Sequence, residues 1–257
     1  MSAATGFKDH FSTQATDYTR YRPGYPPELF SWLASLTDAH ETAWDCGCGN
    51  GQASVGLAPY YRNAIATDPS RQQIDNAQPH DRITYAVAPA EESGLPDACA
   101  DLILVAQALH WFDFERFYAE VRRVARPGGI LAAISYGELQ VAGAPDKVIS
   151  HFYHQTIAPY WPPERHYVDE GYRNIPFPFT RIASPHFAMQ VDWNLEQLLG
   201  YLGTWSAIKE YKQREGRDPR ELMYEELQAA WGNAEQTRRV NWPLTLLVGR
   251  VHGGAGE

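Results

Sequence analysis

The sequence predicts a doubly wound α/β fold, and three observations carry that expectation. Short apolar strands alternate with helical patterns from Ala43 to Tyr136, as a parallel sheet covered on both faces requires. Directly behind the first strand comes the run Trp44-Asp45-Cys46-Gly47-Cys48-Gly49-Asn50-Gly51-Gln52, where glycines let a ligand approach the backbone without Cβ obstruction. Across residues 137–180 the alternation stops, and prolines, histidines and tyrosines crowd together.

The elements follow in order. Behind the glycine turn a helix is expected over residues 51–61, its amino end and positive dipole facing a bound ligand. Strands are expected at residues 63–68, 83–87 and 101–106. A helix over residues 114–126 carries the apolar stripe Phe114, Phe117, Tyr118, Val121 and Val124, and Pro127-Gly128-Gly129 stops it before a strand at residues 130–135. Within residues 137–180 only a short helix near residues 146–157 is expected. A sixth strand at residues 187–191, helices at 195–212 and 219–230, and a final strand at 244–251 complete the chain, and no repeat occurs.

Composition narrows the function classes. At 257 residues and 44% hydrophobic content, the chain is expected to form one globular domain over residues 1–257. It has no apolar run near the ~20 residues of a membrane span, and residues 1–6 lack a basic and apolar signal sequence, so a cytoplasmic protein without a membrane partner is expected. Cys46, Cys48 and Cys99 are only three, and two lie in the glycine run, where cysteine serves as a small packing residue. A formal net charge of -9 with no continuous basic stripe disfavours nucleic acid, which leaves a small-molecule partner. Oligomeric state is left open by the sequence.

The glycine spacing identifies the ligand class. G-x-G-x-x-G fails in either frame, because Gln52 or Ser54 falls where the third glycine belongs. Asp45 would repel a pyrophosphate but suits a ligand with an ammonium group and a cationic sulfur. S-adenosylmethionine is such a ligand.

The chain resembles the class I S-adenosylmethionine-dependent methyltransferases. The resemblance rests on the glycine run, on Asp68 ending the second strand, on Ala88-Pro89-Ala90-Glu91 after the third, and on Gln107-Ala108-Leu109-His110-Trp111-Phe112-Asp113 after the fourth. It implies a Rossmann-like, mainly parallel seven-stranded sheet with an antiparallel final strand. It also implies a cofactor site at Asp45, Gly47, Cys48, Gly49, Asp68, Ala90, Glu91 and Gln107, with Asp68 on the ribose hydroxyls and Ala90-Glu91 on the adenine. A narrower likeness joins Phe11-x-x-x-Ala15-x-x-Tyr18-x-x-Tyr21-Arg22-Pro23-x-Tyr25-Pro26 to Ala108-Leu109-His110-Trp111-Phe112. It is similar to the small-molecule branch that includes trans-aconitate methyltransferase, and it implies that residues 1–30 cap the cofactor, with Tyr18 and Arg22 at its methionine end.

A methyltransferase of this kind is expected to place a substrate lid at residues 137–180, between the fifth and sixth strands. Ligands of open α/β sheets bind beyond the strand C-termini. His110 falls there and is the candidate catalytic group, while His110, Trp111, Tyr136 and Trp205 are candidates for the acceptor wall. O-methylation of a carboxylate or hydroxyl is the expected reaction. The rival readings are a non-catalytic S-adenosylmethionine-binding protein and a nicotinamide-dependent oxidoreductase. His151, His154 and His166 lack a carboxylate or cysteine at metal-site spacing, so no metal is expected. The charge-rich run over residues 209–221 reads as a solvated helix face.

Overall fold

The computed structural model describes residues 22–251. Tyr18 and most of the anticipated cap therefore lie outside the described residues. In chain order the elements are α1 (Pro27–Ser35), β1 (Thr42–Cys46), α2 (Gln52–Leu57), β2 (Asn63–Asp68), α3 (Arg71–Asp75), β3 (Ile83–Val87), β4 (Ala100–Ala106), α4 (Phe114–Val124), β5 (Ala125–Tyr136), β6 (Gln140–Val141), α5 (Ala144–His151), α6 (Arg165–Asp169), β7 (Thr180–Arg181), β8 (Ala188–Trp193), α7 (Leu195–Leu202), α8 (Ser206–Glu215), α9 (Tyr224–Trp231) and β9 (Arg238–Arg250).

Strand β4 shows why the fold is doubly wound. Its side chains alternate between faces, yet residues from Ala100 to Val105 are all buried. Leu102 and Leu104 pack with Leu29, Leu33 and Leu57 of α1 and α2, whereas Ile103 and Val105 pack with Phe117, Val121 and Val124 of α4. The main sheet runs β3-β2-β1-β4-β5-β9-β7. Its pairs from β3 to β5 are parallel and β9 is antiparallel to both neighbours. This is the expected Rossmann-like sheet of seven strands.

Strand β9 does more than close that sheet. Its residues 244–250 pair with β5, while residues 238–243 pair with β8 and, at Val240 and Asn241, with β6. The change of sheet falls at Pro243, which has no N–H to give a ladder. Around this second pairing lies a separate core that includes Phe152, Tyr153, Leu198, Tyr201, Trp231 and Trp242.

Three sequence expectations need correction here. The strand expected at residues 187–191 is found at Ala188–Trp193, but it belongs to the side sheet; the main sheet's edge is the two-residue β7. Gly249 allows β7 to approach, since a Cβ there would stand 3.0 Å from Phe179 Cβ and 3.1 Å from the Thr180 carbonyl. The helix expected over residues 195–212 is broken between α7 and α8. Arg220 fills the space where Gly203 lacks a Cβ, and its Nη1 donates to the Leu199 carbonyl at 2.7 Å. The helix expected over residues 51–61 is only six residues long. Among the described residues no helix is long and apolar enough to cross a membrane.

Candidate active site

The glycine turn after β1 is held by its own backbone. Gly47 and Cys48 both donate to the Thr67 carbonyl, at 2.8 and 3.0 Å, and Gly51 donates to Cys48 at 2.9 Å. The Gly49 amide donates to Asp68 Oδ2 at 2.9 Å, and Ser70 N donates to Oδ1 at 2.9 Å. These bonds fix the carboxylate's orientation beside the glycine turn. Gly49 has φ +55°, and among the described residues a Cβ there would meet only Gln73 Oε1, at 3.9 Å. The turn is thus a cradle that the described residues leave open above Gly49.

Asp45 sits behind this turn rather than at its mouth, with none of its surface exposed. Ser54 Oγ donates to Oδ2 at 2.5 Å, and Oδ1 is buried without a partner. Burial pushes its carboxyl up to about 7, against the Ser54 bond and with help from the nearby Asp68 charge. With Asp45 a buried acid behind the turn, the carboxylate beside the glycine cradle is Asp68, held by the Gly49 and Ser70 amides. The residues present therefore fit S-adenosylmethionine. Burial raises the Cys46 and Cys48 thiols well above the usual range, so both stay protonated as packing groups.

The loop after β4 lies directly over the turn. A Cβ on Gly47, whose φ is +70°, would come within 2.7 Å of Ala108 Cβ and 3.0 Å of the Phe112 ring. Gln107 has φ +58°. Its side-chain amide donates to the Tyr136 carbonyl at 2.9 Å and accepts from Tyr136 N at 3.0 Å, which clasps the ends of β4 and β5 together. Ala90 is buried, and Glu91 Oε1 accepts from Asp113 N at 2.9 Å, where it braces the start of α4.

Beyond the strand ends is a cavity of about 90 Å³. Of the residues singled out from the sequence, Arg22, Gln107, His110, Trp111, Tyr136 and Trp205 border it. Arg22 Nη1 donates to Tyr136 Oη at 2.8 Å, and its guanidinium lies 5.2 Å from the Tyr201 ring. Trp205 is both pocket wall and core, since it also packs on Tyr153, Trp161 and Tyr201. The sequence reading did not flag Trp161, Arg165, Tyr201, Thr204, Ser206 and Lys209, which line the same cavity. They come from two stretches, residues 161–165 and 201–209, and only folding brings these together with His110 and Tyr136. Lys209 also departs from the solvated-face reading of residues 209–221. Elsewhere in that run the charges pair with one another, as in Lys212–Asp218 at 2.6 Å.

His110 is 7% exposed, and its Nδ1 lies 2.9 Å from the Tyr172 hydroxyl. Burial first, and the Arg165 charge second, push its pKa down to about 3. The imidazole is therefore neutral through the physiological range, and the Tyr172 bond sets its tautomer. If Nδ1–H donates to Tyr172, Nε2 carries a lone pair; if Tyr172 donates, Nε2 carries the proton. Tyr172 is itself buried, with φ +56°. Of the other histidines, His154 Nε2 lies 3.0 Å from Glu138 Oε2, and His166 Nδ1 lies 2.6 Å from the Pro163 carbonyl. No cluster of three or more possible metal-binding His, Cys, Asp or Glu residues occurs among the described residues.

Comparison with known proteins bears on this geometry. A methyltransferase domain family model matches residues 44–133, from β1 to β5. A Dictyostelium discoideum protein named as a methyltransferase is 33% identical over 253 residues, 96% of each chain. A solved structure from Anaeromyxobacter dehalogenans, named as a type II methyltransferase, is 48% identical with a TM-score of 0.85, covering 90% of this chain and 99% of that one. A Saccharomyces cerevisiae protein named as an S-adenosylmethionine-dependent methyltransferase is 26% identical over 142 residues, 52% of this chain and 49% of its own. These likenesses displace both the nicotinamide and the non-catalytic readings. With the cradle, Asp68 and the whole-chain likeness in agreement, the chain belongs to the S-adenosylmethionine-dependent methyltransferases.

Proposed function

We propose that this enzyme methylates an oxygen, of a carboxylate or a hydroxyl, on a small molecule bound in the cavity beside His110. The observation that carries the reading is the cavity itself: it is small, it opens at the ends of β4 and β5, and a neutral histidine stands in its wall. When bound, S-adenosylmethionine supplies a methyl group already activated by a sulfonium. The protein's part is alignment and exclusion of water. Gln107 fixes the strand ends, Trp111 and Trp205 wall the acceptor, and Tyr136 and Arg22 close the side toward the N-terminal segment.

A carboxylate acceptor is ionised at neutral pH and needs orientation only, for which His110 serves as an Nε2–H donor. A hydroxyl acceptor loses a proton, and the opposite tautomer accepts it at Nε2. The resemblance to the trans-aconitate methyltransferase branch supports an oxygen nucleophile. We assign the lid role to residues 137–180, which supply Trp161 and Arg165, and a capping role to the N-terminal segment. The Gln52 side chain donates to the Pro23 carbonyl at 2.8 Å, which ties that segment to α2.

Calorimetric titration with S-adenosylhomocysteine, followed by a methyl-release screen over small acids, phenols and amines, tests the reading. Turnover is expected with acids or phenols. Turnover confined to amines would overturn the oxygen assignment.

A further inference from the structure

The cavity wall contributed by residues 161–165 has a chemistry that alignment of a methyl group does not explain. Arg165 opens α6 and is held from one side only. Its Nε donates to Tyr153 Oη at 2.7 Å and to Asp169 Oδ1 at 3.0 Å, while Tyr153 Oη donates to the same Asp169 oxygen at 2.6 Å. The guanidinium stacks 4.7 Å from the Trp161 ring centroid and 5.5 Å from that of Tyr153. Its side chain is only 17% exposed. Its hydrogen bonds to described residues all leave from Nε, so the edge formed by Nη1 and Nη2 carries none, and this residue borders the cavity.

A second observation points the same way. Trp161 Nε1 is buried without a hydrogen-bond partner, and Trp161 belongs to the same cavity wall. An unpaired buried donor is costly, and the Trp161 N–H beside the Nη edge of Arg165 calls for an acceptor that the described residues do not supply. Among the described residues no aspartate or glutamate lines the cavity, whereas Arg22 and Lys209 do. The planar fork of a guanidinium matches the two oxygens of a carboxylate. Its rigidity here comes from Asp169, Tyr153 and the Trp161 face, so little ordering is needed on binding.

We propose that Arg165 and Trp161 form a carboxylate-binding subsite that selects anionic acceptors. The proposal rests on reading the cavity as the acceptor pocket. The subsite binds through the Nη edge of Arg165 and the indole N–H of Trp161. Acceptors whose carboxylate is replaced by a carboxamide lose the charge-assisted bonds.

The test is titration of the full-length protein, saturated with S-adenosylhomocysteine, with benzoate and succinate, with benzamide and succinamide, and with inorganic phosphate. The carboxylates are expected to bind and the amides to bind at least about 10-fold more weakly. Arg165→Gln should weaken carboxylate binding by about 10-fold or more, Trp161→Phe by a few-fold, and Arg165→Lys should recover part of the loss as a point charge. Affinity for S-adenosylhomocysteine should not change. Equal binding of acids and amides, absence of carboxylate binding, tighter binding of phosphate than of either acid, or an Arg165→Gln variant with wild-type carboxylate affinity would each overturn the subsite. If Arg165→Gln fails to fold, Trp161→Phe and the acid-to-amide ratio of the wild type decide. Methyl release confined to uncharged acceptors, unimpaired in Arg165→Gln, removes the subsite and leaves the oxygen-methylation reading. Arg165-dependent carboxylate binding without methylation of any oxygen removes that reading and leaves the subsite.

Discussion

His110 shows how far environment moves a side chain from its ordinary chemistry. The free imidazole titrates near 6.5, and burial takes it to about 3. Between those values the unfolded chain holds a proton that the folded His110 refuses. Its contribution to stability is therefore complete above about pH 6.5 and lost as pH falls toward 3, worth on the order of 5 kcal/mol at most. Asp45 acts oppositely: raised from 3.8 to about 7, its contribution is complete below 3.8 and lost as pH rises through 7. Urea unfolding from pH 4 to 7.5 should show His110→Gln flattening the acid limb and Asp45→Asn removing the decline near neutrality. For turnover, His110 should produce no inflection near pH 6.5, and His110→Ala should lower kcat about 10²-fold if the imidazole takes a proton. Asp68 gives a separate test. Asp68→Ala should weaken S-adenosylhomocysteine binding by about 10-fold or more through lost charged hydrogen bonds, and calorimetry that finds wild-type affinity in a folded variant would remove the ribose assignment.

At the scale of elements, two glycines of one turn have different reasons to be glycine. Gly47 is needed for packing, because the loop after β4 occupies the volume a side chain would take. Gly47→Ala should cost about 2 kcal/mol or more through overpacking and backbone strain. Gly49 has, among the described residues, only Gln73 Oε1 within 4 Å of where a Cβ would stand. Gly49→Ala should cost only about 1 kcal/mol for its left-handed backbone, yet weaken the cofactor more than Gly47→Ala does per unit of stability lost. Thermal unfolding and calorimetry on the pair check the contrast. Helix α7 begins with a reciprocal capping box, Asn194 accepting from Gln197 N and Gln197 accepting from Asn194 N, both at 3.0 Å. Local signals of this kind are legible in sequence, as is the stripe of α4, where Phe117, Tyr118, Val121 and Val124 are buried as expected. The break between α7 and α8 lies where Arg220, seventeen residues beyond Gly203, packs against that glycine, a contact that no local pattern shows.

At the scale of the molecule, β9 joins the cores on the two faces of the main sheet, through Leu247 and Val248, to the core under the side sheet, through Val240 and Trp242. Each has its own large buried aromatics, so they should open as distinct units. Hydrogen exchange is expected to show residues 195–202 and 224–231 exchanging together, apart from β1 and β4. Added S-adenosylhomocysteine should increase protection at residues 22–25, where Tyr25 packs on Phe30 and Tyr136. Unchanged protection there would reduce the N-terminal segment to packing.

The sequence by itself determined the strand order's raw material and the cofactor: β2 and β3 fall where apolar pattern and turn residues place them, and the glycine run with Asp68 is contiguous enough to be recognised. Those signals are local, set by backbone geometry within a few residues. Tertiary structure alone decided the rest. Pro243 hides the first half of β9 by interrupting a strand pattern, and only pairing with β8 reveals it. Likewise Arg165, Trp161 and Tyr172 carry no motif; what marks them is a shared cavity, an unpaired donor edge and a bond to His110, which exist only once residues 62 apart in sequence stand 2.9 Å apart in space.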